Sequence, residues 1–258
     1  MHWLKMRALK SVSLLWMRKA KLRSPLRLTA VSVLSLAVSF MLSSCVNVAS
    51  YTQPSLVRVI DASYIAPAAN VIIEGVTIAS NIGQGSITAY ATVPASNSAL
   101  IKITEATASK SLVTTNGTVL AGHHHSIFLT DNGASSTGYT VTVLEDQQVA
   151  AASGHSAFRF LNQAPKVGPV DVYMVPSSTT LANTVPLVSG LAVGATAGYV
   201  SFTSQTVTMV IVPTGLLTPK YTSATLSLTG GEVRTVLIVD TQLTSDPPVN
   251  VFMATDVQ

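Results

Sequence analysis

Val57-Arg58-Val59-Ile60-Asp61-Ala62 and Phe158-Arg159-Phe160-Leu161-Asn162-Gln163 are one segment met twice, 101 residues apart. In both, an arginine is set into a short apolar run, rich in the β-branched and aromatic residues that suit a strand. The same offset holds between Asn70-Val71-Ile72-Ile73 and Asp171-Val172-Tyr173-Met174. Further on it becomes 109: Gly122 to Asp131 matches Gly231 to Asp240, and Tyr90 matches Tyr199. One insertion of eight residues in the second copy, between Pro176 and Val193, reconciles the two offsets. A long-period repeat of this kind decides the architecture before any single element is assigned.

Each copy reads as short strands separated by Gly, Pro, Asn and Ser. In the first they are Leu56 to Ala62, Val71 to Glu74, Ser86 to Val93, Ile127 to Thr130 and Tyr139 to Leu144. The second has Ala157 to Leu161, Val170 to Val175, Gly198 to Thr203, Thr206 to Val212, Ala224 to Leu228, Arg234 to Asp240 and Asn250 to Met253. Thr140-Val141-Thr142-Val143 and Thr225-Leu226-Ser227-Leu228 alternate polar with apolar, the period of a half-buried strand. Asn116-Gly117 has the composition of a hairpin turn. No amphipathic helix follows the N-terminal segment. The expected fold is all-β, two tandem immunoglobulin-like antiparallel β-sandwiches. The Cys and Trp hallmarks of true immunoglobulin domains are missing, since both tryptophans precede Cys45.

The N-terminus has a different character. Residues 1–27 hold eight basic side chains and no acid, and an apolar run of 14 residues, Leu28 to Met41, follows. That is the order of an export signal, and the run is short beside the roughly 20 residues of a bilayer span. It ends in Leu42-Ser43-Ser44-Cys45, around the only cysteine. The segment resembles the signal of bacterial lipoproteins, whose lipobox ends in the cysteine that is acylated. The resemblance implies cleavage before Cys45, lipid on Cys45 and a membrane-anchored, extracytoplasmic protein. Val46 in the next position points to the outer membrane if the host has two. Residues 1–44 are then signal peptide, 45–55 lipidated cysteine and tether, 56–150 the first sandwich and 156–258 the second.

Beyond Cys45 seven basic residues face eleven acidic ones, a net charge of 7 − 11 = −4. A nucleic-acid partner, which needs a basic footprint on the folded domain, is therefore not expected. With Cys45 acylated no thiol remains for a disulfide or a thiolate metal site.

The pattern Arg58, Asp61, Ala66-Pro67, Asn70-Val71 and Ala121-Gly122, repeated as Arg159, Asn162, Ala164-Pro165, Asp171-Val172 and Gly230-Gly231, resembles the DUF4397 family of secreted and lipid-anchored bacterial proteins, in two tandem copies. Asn70 stands where the family has Asp, and Gly230 where it has Ala. The resemblance implies a fold and an envelope location, and no established activity.

The candidate chemistry is sparse. Successive side chains on a strand point to opposite faces, so of His123-His124-His125 only His123 and His125 can share one metal ion. They are weak candidates, since a zinc site wants three or four ligands. Arg58 lies twelve residues before Asn70 and Arg159 twelve before Asp171, which suggests a structural cross-strand pair in each copy. No Gly-x-Ser-x-Gly elbow is present, and Gly154-His155-Ser156 has no neighbouring acid. Glu145 and Asp146 would diverge on a strand, and Gly83-Gln84-Gly85 has no following helix to cradle a phosphate. No catalytic residue and no cofactor is expected. Three readings compete: a non-enzymatic structural or interaction module whose partner is an envelope protein or glycan; a carbohydrate-binding or adhesion protein using Tyr90, Tyr139, Tyr173, Tyr199 and Tyr221 on one exposed face; and a hydrolase or metal-binding protein, marked by His123, His125 and a carboxylate in one pocket.

Overall fold

The computed structural model describes residues 52–131, 138–240 and 249–257. The first half of this unit has eight strands: β1 (Ser55–Asp61), β2 (Ala69–Ile73), β3 (Val76–Ile82), β4 (Ala91–Val93), β5 (Ser96–Glu105), β6 (Ser111–Val119), β7 (His124–Asp131) and β8 (Tyr139–Glu145). The second repeats them as β9 (His155–Gln163), β10 (Val170–Pro176), β11 (Val188–Leu191), β12 (Thr196–Thr203), β13 (Thr206–Pro213), β14 (Tyr221–Ser227), β15 (Val233–Asp240) and β16 (Val249–Val257). The only helical turn described is a 3-10 turn at Leu181–Asn183.

Four sheets of four strands result, in the orders β4-β1-β7-β8 and β3-β2-β5-β6, then β12-β9-β15-β16 and β11-β10-β13-β14. The two halves have identical topology, each a β-sandwich. One detail departs from a wholly antiparallel sandwich. β1 pairs with β7, and β9 with β15, in parallel. Parallel strands are characteristically buried on both faces, and these four are, which is why they read as near-continuous apolar runs.

The two faces of those strands serve different cores. Val57, Val59, Ile127 and Leu129 point into the first sandwich, among Val71, Ile101 and Ile103. Phe158, Phe160, Val236 and Ile238 do the same in the second, with Val172, Met209 and Ile211. The alternate residues form a third cluster that draws on both halves: Ile60, Ala62 and Phe128 meet Leu161, Leu237 and Val239, flanked by Ile87, Leu144 and Phe252. The sandwiches are thus joined face to face through the sheets containing β1 and β9, and not merely strung on a linker.

The eight-residue length difference falls between β10 and β11. In the first half the corresponding strands are joined by Glu74-Gly75 alone, both with positive φ (49° and 79°), as a two-residue primed turn requires. Asn116-Gly117 is not the expected hairpin turn. Both residues lie inside β6, where Asn116 Nδ2 donates to Ser98 Oγ across the ladder. The glycine is needed for packing: a Cβ on Gly117 would sit 2.7 Å from Val143 Cγ2 and 2.9 Å from Ile101 Cδ1. Gly117→Ala is accordingly expected to cost about 1–3 kcal/mol by overpacking, measurable as a lower denaturation midpoint at unchanged m value.

Candidate functional site

The densest polar site lies on the shared face between the sandwiches. Arg58 projects from β1 towards the second sandwich, where its Nη2 donates to Asp256 Oδ1 and its Nη1 to Thr255 O at 3.2 Å. Arg159 projects from β9 towards the first, where its Nη2 donates to Asp146 Oδ1 and its Nη1 to Glu145 O at 3.1 Å. Each guanidinium is also held at home: Arg58 Nε donates to Ser126 Oγ at 2.7 Å, and Arg159 Nε to Thr235 Oγ1 at 3.1 Å.

The carboxylates are received in the same symmetric way. Ser126 Oγ donates to Asp146 Oδ2 at 2.7 Å, and Thr235 Oγ1 to Asp256 Oδ2 at 2.8 Å. Tyr90 and Tyr199 complete the pattern, their hydroxyls donating to Asp146 Oδ2 at 2.7 Å and Asp256 Oδ2 at 2.8 Å. Their rings lie 4.9 and 5.0 Å from the guanidinium carbons of Arg58 and Arg159. Four pairs of residues, one of each pair from each copy, therefore form a pseudo-two-fold clasp.

The clasp is dry. The side chains of Arg58 and Arg159 are each 3% exposed, that of Asp146 1% and that of Asp256 0%. Burial works against the Arg58 charge, but the Asp256 and Asp146 carboxylates outweigh it and hold the group above its ordinary range. Burial first, then the Asp146 charge, pushes the Tyr90 phenol well up, so it stays a donor; burial does the same for Tyr199, with the Asp256 charge adding. In such a site an ion pair is favourable only when every remaining lone pair and proton is satisfied. The serine, threonine and tyrosine hydroxyls meet that need.

The pairing expected from sequence, Arg58 with Asn70 and Arg159 with Asp171, does not occur. β1 and β2 belong to different sheets, so the residues do not face each other across a ladder. Asn70 instead accepts from the backbone N of Asn81, which has φ 53°. Asp171 accepts from Ser189 Oγ and from the backbone N of Gly190 and Gly215. Gly190, with φ 64°, occupies the place of Asn81. The two Asx side chains thus brace the same left-handed residue of the neighbouring edge strand. Burial acts to raise the Asp171 carboxyl, but the Gly190, Gly215, Ser189 and Thr214 hydrogen bonds prevail and lower it.

The histidines do not converge on an ion. His123 Nδ1 lies 2.6 Å from Glu145 Oε1 in an exposed pair. His125 is buried, with Leu120 N donating to its Nε2 at 3.3 Å and Ser55 Oγ 3.0 Å from its Nδ1. Both ring nitrogens are therefore occupied, and the rings of His123 and His125 are 6.4 Å apart. Burial lowers the pKa of His125, which suits a neutral ring that accepts at Nε2. Among the described residues no three His, Cys, Asp or Glu side chains gather in a metal-holding group. Glu145 and Asp146 diverge, one to solvent and one into the clasp. Ser156 Oγ donates to Thr229 O at 2.9 Å, which makes it a structural hydroxyl.

Nor do the five tyrosines share an exposed face. Tyr173 is buried beside Val210 and Val212, Tyr139 and Tyr221 pack on the two sandwich cores, and Tyr90 and Tyr199 belong to the clasp. A shallow groove lined by Ser96, Asn97, Leu120 and Ala121 carries no titratable side chain. Leu42, Ser43, Ser44 and Cys45 lie outside the described residues.

Fold and site define a class: an all-β protein of two tandem sandwiches sharing a buried, charge-bearing face. Residues 55–173 match the family model "Domain of unknown function (DUF4397)". The match is single, running from β1 through the first sandwich into β10, so the second copy is seen in the fold and not as a second family match. No curated protein matches the chain. Among solved structures the chain is similar to one described as the crystal structure of CBMbc (family CBM26) from Eubacterium rectale Amy13K in complex with maltoheptaose, at 7% identity, covering 76% of this chain and 96% of that one, with a TM-score of 0.24. A score that low does not establish a shared backbone path.

Proposed function

We propose that this chain is a lipid-anchored, extracytoplasmic protein of the bacterial cell envelope, working without catalysis as a structural or interaction module. The observation that supports the non-catalytic reading is the fate of its polar groups. Arg58, Arg159, Asp146, Asp256, Tyr90 and Tyr199, the residues a site would have drawn on, are spent on joining one sandwich to the other, and the four charged side chains among them are buried. The location rests on Leu42-Ser43-Ser44-Cys45 behind a basic, then apolar, segment. Several acyl chains on Cys45 would hold the protein stably where a single chain is marginal.

Metabolic labelling with palmitate tests the anchor. The wild-type protein is expected to carry label and to need detergent for extraction, and Cys45→Ala to lose the label. Unlabelled wild-type protein, water-soluble and cut after Ser44, would refute anchoring. A pull-down from envelope fractions and glycans with the mature protein tests the interaction role, with a saturable glycan ligand favouring the adhesion reading. Hydrolysis of a bound component would overturn the non-catalytic reading.

A further inference from the structure

Asp61 and Asn162 hold the same position in the two copies, at the ends of β1 and β9, and both are fully buried. Their backbones are used alike. Asp61 N donates to Ser86 O and its carbonyl accepts from Gly85 N, just as Asn162 N donates to Ala195 O and its carbonyl accepts from Gly194 N. Their side chains also begin alike: Asp61 Oδ1 accepts from Ser63 N, and Asn162 Oδ1 from Ala164 N, both at 3.0 Å. The second side-chain atom is where they part. Asn162 Nδ2 donates to the carbonyls of Gly168 at 3.0 Å and Leu191 at 2.9 Å. Asp61 Oδ2 has no hydrogen-bond partner among the described residues.

The strand registers identify its surroundings. Ala69 pairs with Ile82 as Val170 pairs with Leu191, so Ile82 takes the place of Leu191. The group that corresponds to the Leu191 carbonyl in the first sandwich is thus the Ile82 carbonyl, which accepts and cannot donate. An ionised oxygen in that place is desolvated and opposed by like partial charges, whereas a protonated one is a donor as Nδ2 is.

We propose that Asp61 is a neutral carboxylic acid in the folded protein, its Oδ2–H standing in for the Nδ2–H of Asn162, and that loss of this proton is a pH-operated release of the loop that docks the first sandwich on the second. The loop is Gly83 to Ser86, whose Gly85 and Ser86 are bound by the Asp61 backbone. Gln84 Nε2 donates to Asp240 O of the second sandwich at 3.0 Å. Gly85 lies so close under the Phe252 ring that a Cβ would be 2.1 Å from it. Strain at Asp61 therefore reaches the inter-sandwich contact directly.

Burial is the main cause that drives the Asp61 carboxyl up to about 7; the Ser63 N–H opposes it and the Asp131 charge adds to it. Asp131, on β7, is itself held by Ser63 Oγ and Tyr64 N. Tyr139 stands opposite Asp131 on β8, and Glu105 ends β5 in the facing sheet. From the other sandwich the charged groups at this end, among the described residues, are Asp240 and Lys166, joined through Lys166 N. Burial raises Asp240 as well, so only a comparison at position 61 isolates the switch. With a folded pKa above the unfolded value near 4, the contribution is whole below about pH 4 and is lost as pH rises through about 7.

The test is the melting temperature of the full chain in detergent, wild type against Asp61→Asn, between pH 4.5 and 8. The variant is expected to match the wild type at pH 4.5 and to exceed it by about 5 °C or more at pH 8. An offset that does not change with pH would overturn the proposal. So would wild-type destabilisation by EDTA at pH 8 that calcium reverses, which would mean that Oδ2 holds a cation and not a proton. If Asp61→Asn does not fold, the ¹³C carboxyl resonance of Asp61 in the wild type decides alone: titration near neutrality is expected, and full ionisation at pH 5 would refute it.

Discussion

Replacing Arg159 by alanine is expected to remove about 3–5 kcal/mol of folding stability, on the order of 10 °C in melting temperature. The loss comes less from the missing attraction than from the partner left behind. Asp146, 1% exposed, would keep its Ser126 and Tyr90 donors but lose the one full positive charge that touches it directly. Arg58 Nε lies 3.8 Å away and is committed to Ser126 and Asp256, so it cannot substitute. Arg159→Lys should recover only part of the loss, because one ammonium cannot bond Thr235, Glu145 O and Asp146 with the guanidinium's fixed fork. By symmetry Arg58→Ala should behave alike, and the double variant should lose less than the two losses combined, since both act in one network. Thermal melts of the wild type and these four variants check this. Equal small losses that disappear at high salt would mean that the pairs are exposed, contrary to the clasp.

Phe128→Ala is expected to cost about 3–5 kcal/mol, the range for emptying a fully buried aromatic site. Phe128 is wholly buried, and it fills the shared cluster, not the core of its own sandwich. The Arg159 guanidinium carbon lies 5.6 Å from its ring, so the cavity would also loosen the clasp. Phe128→Leu should retain most of the stability. Hydrogen exchange gives the discriminating readout: protection should fall in β9 and β15 of the other sandwich as well as in β1 and β7. A loss confined to β1 and β7 would show that the cluster does not couple the halves.

The fold was legible because the sequence states it twice. A strand such as Phe158 to Leu161 is ambiguous alone, but its match at Val57 to Ile60 fixes both its type and its place. The strands that escaped sequence reading are β3, β5, β6 and β11. β5 carries the period-two signal in Ala99, Ile101 and Ile103, and β6 hides it because Asn116-Gly117 imitates a turn.

The clasp was half legible. An arginine recurring inside an apolar strand suggests a structural partner, and the nearest candidates in sequence, Asn70 and Asp171, lie on the next strand. Arg58 meets Asp256 across 198 residues, and no local pattern announces such a contact. A signal did exist: Glu145-Asp146 and Thr255-Asp256 end corresponding strands 110 residues apart, and both aspartates follow their copy's arginine. The asymmetry at Asp61 and Asn162 was visible too, but its meaning depends on which carbonyls surround the second side-chain atom.

The most direct test is differential scanning calorimetry of the intact protein. A pair of sandwiches sharing a buried face and a reciprocal ion-pair clasp should unfold in one transition, with calorimetric and van't Hoff enthalpies equal. In Arg58→Ala/Arg159→Ala that transition should separate into two. A wild-type trace with two independent transitions, unmoved by the double substitution, would contradict the account.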